Sequence, residues 1–106
     1  MGEILIRAQL VASVSERLML REKLVQDAFA SILSDIRGAL VSGCRVEIRG
    51  FGVFTSKFRE GRQARNPSNG ELVTVRPRYI IQFRAGKLMR ETVDFHRYVE
   101  SADSAH

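Results

Sequence analysis

Several features that define whole classes of protein are missing from this sequence of 106 residues. Cys44 is the only cysteine, which excludes an internal disulfide and a cysteine-based metal cluster. Apolar runs are only a few residues long, which excludes a transmembrane helix. The first residues also lack the basic start and long apolar run of a secretion signal. We therefore expect a soluble, intracellular chain.

Groups that converge on a catalytic or metal-binding site are also lacking. His96 and His106 are isolated, and no Cys/His/Asp spacing suggests a metal site. Cys44 is interpreted as a small, partly buried structural residue, and Glu60 and Glu71 as local charge partners of nearby cations. We expect no enzymatic activity, no metal, no cofactor and no small-molecule ligand.

The charge that is present lies in one block. The composition, 44% hydrophobic and 27% charged, is that of an ordinary globular domain, and the formal net charge is +5. Residues 57–90 carry nine basic against two acidic side chains, whereas residues 1–56 are balanced to +1 and residues 91–106 to −3. Seven of the nine cations are arginine, whose planar donor fork suits phosphates and base edges. A polyanion partner, most simply nucleic acid, is favoured over a merely solvated basic face.

Apolar periodicity predicts an α+β fold. Helical spacing covers residues 6–18 and 22–41, with Gly43 as a natural stop, and predicts two helices joined by a short link. Alternation in 45–49 then predicts a strand, Gly50-Phe51-Gly52 a tight corner, and two further antiparallel strands follow. A final helix begins after Gly86, and residues 101–106 are expected to form a flexible polar tail after a single domain of residues 1–100.

The second and third strands are predicted to form a long protruding arm of about residues 57–78. Asn66-Pro67-Ser68-Asn69-Gly70 is a strong turn signal at its tip. Ten residues each way make a ribbon about 30 Å long, with too few apolar residues to be stable alone in water. Two-stranded ribbons fit nucleic-acid grooves, and an apolar knob such as Pro67 can wedge between base steps. Pro67 can equally well serve only to shape the turn.

These residues resemble the HU/integration host factor family of bacterial nucleoid proteins, dimers that bend DNA. The resemblance rests on Gly43, on the run from Val46 to Phe54, on Arg59 and Arg62, on Arg65-Asn66-Pro67 with Gly70, and on Phe83-Arg84-Ala85-Gly86-Lys87. It implies an intertwined dimer whose two arms wrap double-stranded DNA in the minor groove, in the bacterial cytoplasm at the nucleoid. It also implies that Pro67 intercalates. Other DNA-contacting positions implied are Arg7, Glu47, Arg49, Lys57, Arg59, Arg62, Arg65, Asn66, Arg76, Arg78, Arg84 and Lys87.

The stretch from Arg45 to Gly52 is more similar to the β-type subunit of integration host factor than to HU. In that subunit the residues that match Glu47 and Arg49 help to recognise a preferred sequence, although a solvent-facing strand edge explains them as well. The aromatic bulk of the small sheet independently favours a dimer, because one short chain would struggle to cover it. A homodimer and a heterodimer both stay open. The rival function is a protein-interaction scaffold of the same fold, with basic arms that grip an acidic partner.

Overall fold

The computed structural model describes residues 2–104, and the side chains of residues 2–100. Its elements are α1 (Arg7–Leu18), α2 (Glu22–Val41), β1 (Val46–Ile48), β2 (Gly52–Arg59), β3 (Arg62–Arg65), β4 (Leu72–Val75), β5 (Arg78–Ala85) and α3 (Lys87–Ser104). The predicted α+β class and the order of helices around an antiparallel sheet are confirmed. The chain divides into two compact units, the first ending at Gly38 and the second beginning at Ala39.

The first unit contains α1 and most of α2, joined by the predicted short link. At the start of α1 the side-chain oxygen of Gln9 accepts a hydrogen bond of 2.9 Å from the Ile6 amide, which satisfies a group that the helix leaves free. At its end Met19 adopts a left-handed conformation with φ of 56°. The hydroxyl of Ser15 donates to the Leu20 carbonyl at 2.6 Å and fixes the link. Val11 and Val25 are the buried apolar side chains among those described.

The second unit is built on a three-stranded antiparallel sheet in the order β1-β2-β5. β1 is short and pairs only with residues 52–54, so that β2 and β5 run on as a two-stranded ribbon from Thr55 and Gln82 outward. The turn between β1 and β2 depends on Gly50, which has a φ of 80°. Gly52 is equally constrained, since a Cβ there would lie 2.6 Å from both the Arg84 carbonyl oxygen and the Phe83 ring.

The predicted arm is interrupted between its inner and outer parts. β3 and β4 form a separate two-stranded sheet at its outer end, and residues 60–61 and 76–77 lie opposite each other outside both sheets. Pro77 has no N–H to donate to the ladder, and the Cβ of any larger residue at Gly61 would lie 3.1 Å from its ring. The pairing of Arg59 with Arg78 and of Arg62 with Val75 nevertheless keeps one register across the gap. The predicted hairpin arm is thus built as two short paired segments that share one register.

The C-terminal residues differ from the predicted flexible tail. α3 ends at Ser104, so residues 101–104 continue the helix instead of beginning a flexible tail, because this stretch contains no glycine or proline to stop it. Ala105 and His106 of that tail lie outside the described residues.

Cys44 is exposed, and the prediction of a partly buried position is wrong. No described helix is both long and apolar enough to cross a membrane.

Candidate nucleic-acid interface

Side chains of β2 and β5 alternate between the two faces of the ribbon, which gives each face its own chemistry. Paired residues share a face, and the pairs Val53–Arg84, Thr55–Gln82, Lys57–Ile80 and Arg59–Arg78 form one of them. We call this the basic face, since it carries four cations and no carboxylate from either strand. The predicted sharing of a face by Lys57 and Arg59 is confirmed, and both side chains are exposed.

The inner part of the basic face is a shallow groove that brings together one cation from β2, one from β5 and one from just before β1. Arg45, Lys57 and Arg84 line it together with Val53, Thr55 and Gln82. Arg45 was not among the predicted site residues, because it lies outside the basic block and the resemblance implied no DNA contact at its position. The same alternation could have found it, since Arg45 is two residues before Glu47, which pairs with Val53 of the basic face.

Glu47, predicted to contact a partner, forms an ion pair of 2.7 Å with Arg45. Both side chains are more than 60% exposed, so that the pair contributes little to stability. Arg49 follows β1 in the turn before β2 and is also exposed. With Glu47 it lines a second shallow cleft around Gly50 and Gly86.

Four arginines gather where the arm is interrupted. Arg59 and Arg78 are direct cross-strand partners, an arrangement of like charges that destabilises a ribbon unless an anion lies between them. Arg62 and Arg76 line the same cleft. Arg76 lies between β4 and β5, outside either strand, and lines the cleft together with Arg78. Glu60 also lines the cleft but forms no ion pair within the described part of the chain, contrary to its prediction as a charge partner.

The tip of the arm is a turn closed by its own polar groups. The Asn66 carbonyl accepts from the Gly70 amide at 2.7 Å, and the Asn66 amide donates to the Glu71 carbonyl at 2.8 Å. Side-chain oxygens of Asn66 and Asn69 each accept from a backbone amide two residues on, at 2.9 Å. A guanidinium nitrogen of Arg65 donates to the Gly70 carbonyl, also at 2.9 Å. Pro67 projects from this closed turn and is exposed.

The remaining predicted positions lie on the helices. Lys87 begins α3 and is 4.0 Å from Glu91, close to the N-terminal end where backbone amides favour anions. Arg7 begins α1 in the first unit, where its guanidinium lies 5.4 Å from the centre of the Phe29 ring. Lys87 thus belongs to the same unit as the basic face, whereas Arg7 belongs to the other unit.

The opposite face of the ribbon is apolar. Phe83 lies 4.8 Å from Phe54 and 5.4 Å from Phe51 between ring centres, and Phe58 lies 5.3 Å from Tyr79. We call this the apolar face, and its strand residues are Gly52, Phe54, Ser56, Phe58, Tyr79, Ile81, Phe83 and Ala85. No described apolar side chain of the second unit is buried, and Phe58, Tyr79, Ile81 and Phe83 of this face are exposed.

Comparison with known proteins gives a consistent result over most of the chain. The family model described as bacterial DNA-binding protein matches residues 5–94. Integration host factor subunit beta of Dechloromonas aromatica is 43% identical over 89 residues, which are 83% of this chain and 95% of that protein. The corresponding subunit of Dichelobacter nodosus is 49% identical over 75 residues, 71% of this chain and 78% of that protein.

Solved structures agree. The HU protein in an Anabaena HU–DNA cocrystal structure is 34% identical and superposes with a TM-score of 0.76, over 84% of this chain and 97% of that one. A variant of HU from Thermotoga maritima has a TM-score of 0.63 at 22% identity, which supports the fold alone.

Proposed function

The chain belongs to the bacterial DNA-binding protein family of HU and integration host factor, and from this membership we propose that it is a non-enzymatic architectural protein that binds and bends double-stranded DNA. The observation that carries the proposal is the basic face, which leads in one register to an exposed proline at the arm tip. The relative cocrystallised with DNA supports the same partner for this chain.

The basic residues have distinct parts in this proposal. Cations of the groove and of the interrupted region neutralise phosphates along the duplex, and the arms lie in the minor groove, whose negative potential attracts arginine. Pro67 inserts between base steps and kinks the duplex, with Arg65 and Asn66 at the groove beside it. The proposed DNA-contacting residues are Arg7, Arg45, Glu47, Arg49, Lys57, Arg59, Arg62, Arg65, Asn66, Pro67, Arg76, Arg78, Arg84 and Lys87.

The exposed apolar face supports an intertwined dimer. Exposed aromatic rings on a sheet of three strands are a contiguous apolar patch of the kind that marks a protein interface. In a symmetric dimer the same patch is covered in both chains at once, and two arms are presented to one duplex. The doubled basic block then faces the DNA with four cations of the basic face from each chain.

We also propose a domain extent, a sequence preference and a cellular location for the protein. Residues 1–100 act as one HU-like domain, supported by a single family model that spans residues 5–94. Glu47, held by Arg45, and Arg49 bias binding toward particular sequences by contacting base edges at the end of β1. The protein acts in the bacterial cytoplasm at the nucleoid, where its family is found.

Bending is tested by fluorescence energy transfer between dyes at the ends of a short duplex. The variant Pro67→Ala is expected to reduce the bend strongly and the affinity by only a fewfold, because phosphate contacts are untouched. Ser68→Ala is the matched control at the tip, since the Ser68 side chain makes no hydrogen bond among the described contacts. An unchanged bend in Pro67→Ala would remove the wedge role.

Binding itself is tested by gel shift with random-sequence duplex over a range of salt concentrations. Each neutralised phosphate contributes about −0.9 to the slope of log K against log[salt], so that a steep negative slope is expected. An affinity that does not respond to salt, or no binding at all, contradicts the proposal. The remaining hypothesis is then a protein-interaction scaffold that binds an acidic partner.

A further inference from the structure

The C-terminal half of α3 lies beyond the part of the chain that matches the family. The family model ends at residue 94, whereas α3 continues without a break to Ser104. The D. aromatica relative is covered over 95% of its own length by 83% of this chain. Residues 95–104 are therefore an addition to the shared fold.

One side of α3 carries a straight apolar stripe that runs into this addition. Leu88, Thr92, Phe95 and Val99 follow each other at intervals of four, three and four residues, the spacing of a helix-pairing seam. Leu88 and Phe95 are more than 60% exposed and Val99 is 40% exposed. The Thr92 hydroxyl donates to the Leu88 carbonyl at 2.7 Å, so the stripe contains no polar group that needs an outside partner. We call these four residues the α3 stripe.

The α3 stripe begins next to the apolar face of the sheet. A Cβ at Gly50 would lie 3.7 Å from a terminal methyl carbon of Leu88. The Gly86 amide, just before α3, donates to the Phe51 carbonyl at 2.9 Å, and the Phe51 ring lies 5.4 Å from that of Phe83. The α3 stripe and the apolar face are thus neighbouring parts of the surface of one unit.

We propose that the α3 stripe docks on a second copy of this chain and extends the subunit interface beyond that of family members without the addition. This inference rests on the dimer of the proposed function. Continuity with the apolar face favours a second copy, because an interface that covers the apolar face reaches the start of the stripe. In a two-fold dimer both stripes are buried together.

Charge argues against DNA as the occupant. Residues 91–100 carry Glu91, Asp94 and Glu100 against Arg97 alone, a balance of −2 that repels phosphate. A partner subunit that ends with the family match has no equivalent of Phe95 and Val99, so a mixed dimer buries one such stripe where a homodimer buries two. The addition therefore makes a homodimer more stable than a mixed dimer with a shorter subunit.

The test compares dissociation constants of full-length dimers by sedimentation equilibrium, with circular dichroism to verify helix content. Phe95→Ser combined with Val99→Ser is expected to weaken the dimer about a hundredfold, because the apolar area of both residues is lost in both copies. Phe95→Leu combined with Val99→Ile keeps the stripe apolar and should stay within about threefold of the wild type. Arg97→Ser, on the same helix but off the stripe, is the matched control and should change the constant less than about twofold.

The outcomes separate this inference from the function on which it rests. If the double serine variant dimerises as tightly as the wild type, the inference is overturned, while DNA binding by the dimer still stands. If the wild type is a monomer even when bound to DNA, the proposed dimer fails as well. Val99→Thr, which preserves the shape of the side chain, should weaken the dimer about fivefold even if the double variant loses helix content. An unchanged constant for Val99→Thr together with a loss of helix in the double variant also overturns the inference.

Discussion

The two faces of the β2–β5 ribbon carry alternate residues of the same two strands, and yet their chemistry is opposite. Phe83 and Arg84 are adjacent in the chain, and they belong to the apolar and basic faces respectively. The apolar face has aromatic clusters that its own chain leaves exposed, and the basic face has like charges directly opposite each other. Each face is thus incomplete in a different way. In the proposed function a second subunit covers the apolar face, and phosphates neutralise the basic face.

The largest expected effect separates the two faces at these adjacent positions. Phe83→Ala should destabilise the dimer by about 3 kcal/mol or more, since the ring packs on Phe51, Phe54 and Gly52. Arg84→Ala should change stability by less than about 0.5 kcal/mol but weaken DNA binding. Thermal unfolding at several protein concentrations and DNA titration measure both. Equal losses of stability in the two variants would contradict this division of roles between the two faces.

A smaller effect, of opposite sign for stability and binding, is expected at the cross-strand arginines. Arg59→Ala combined with Arg78→Ala removes two cations from each chain and should weaken DNA binding about tenfold or more. The slope of log K against log[salt] should become shallower by up to about 3.5 in a dimer. The free protein should melt at the same or a slightly higher temperature, because repulsion between like charges is relieved. A lower melting temperature would show that the two arginines stabilise the ribbon instead.

The smallest effect concerns the interruption that separates the two sheets of the arm. Gly61→Ala places a Cβ 3.0 Å from the Val75 carbonyl and 3.1 Å from the Pro77 ring, and should weaken DNA binding about threefold by shifting the outer arm. Adding Pro77→Ala should restore part of that loss, since it removes one of the two close neighbours. A double-mutant cycle on DNA affinity measures the coupling, and strict additivity of the two changes would contradict it.

Much of the fold and of the candidate site can be predicted from the sequence, because these features depend on local periodicity. The two N-terminal helices, the turn around Pro67 and the alternation of Lys57 and Arg59 all follow from spacings of a few residues. The interruption does not, since it depends on the close approach of Gly61 to Pro77 of the other strand, and these residues are far apart in the chain. Alternation along residues 45–49 places Arg45 on the same side as Glu47, but that this side faces the groove of Lys57 and Arg84 follows only from the strand pairing.

The constant register across the interruption also limits how arms of this kind can vary in length during evolution. A residue gained in one strand alone would shift the pairing and turn every side chain beyond it to the other face. One residue gained in each strand would restore the pairing but present Arg65 and the tip on the wrong side. An arm with this pattern can therefore grow or shrink only by two residues in each strand, about 7 Å at a time.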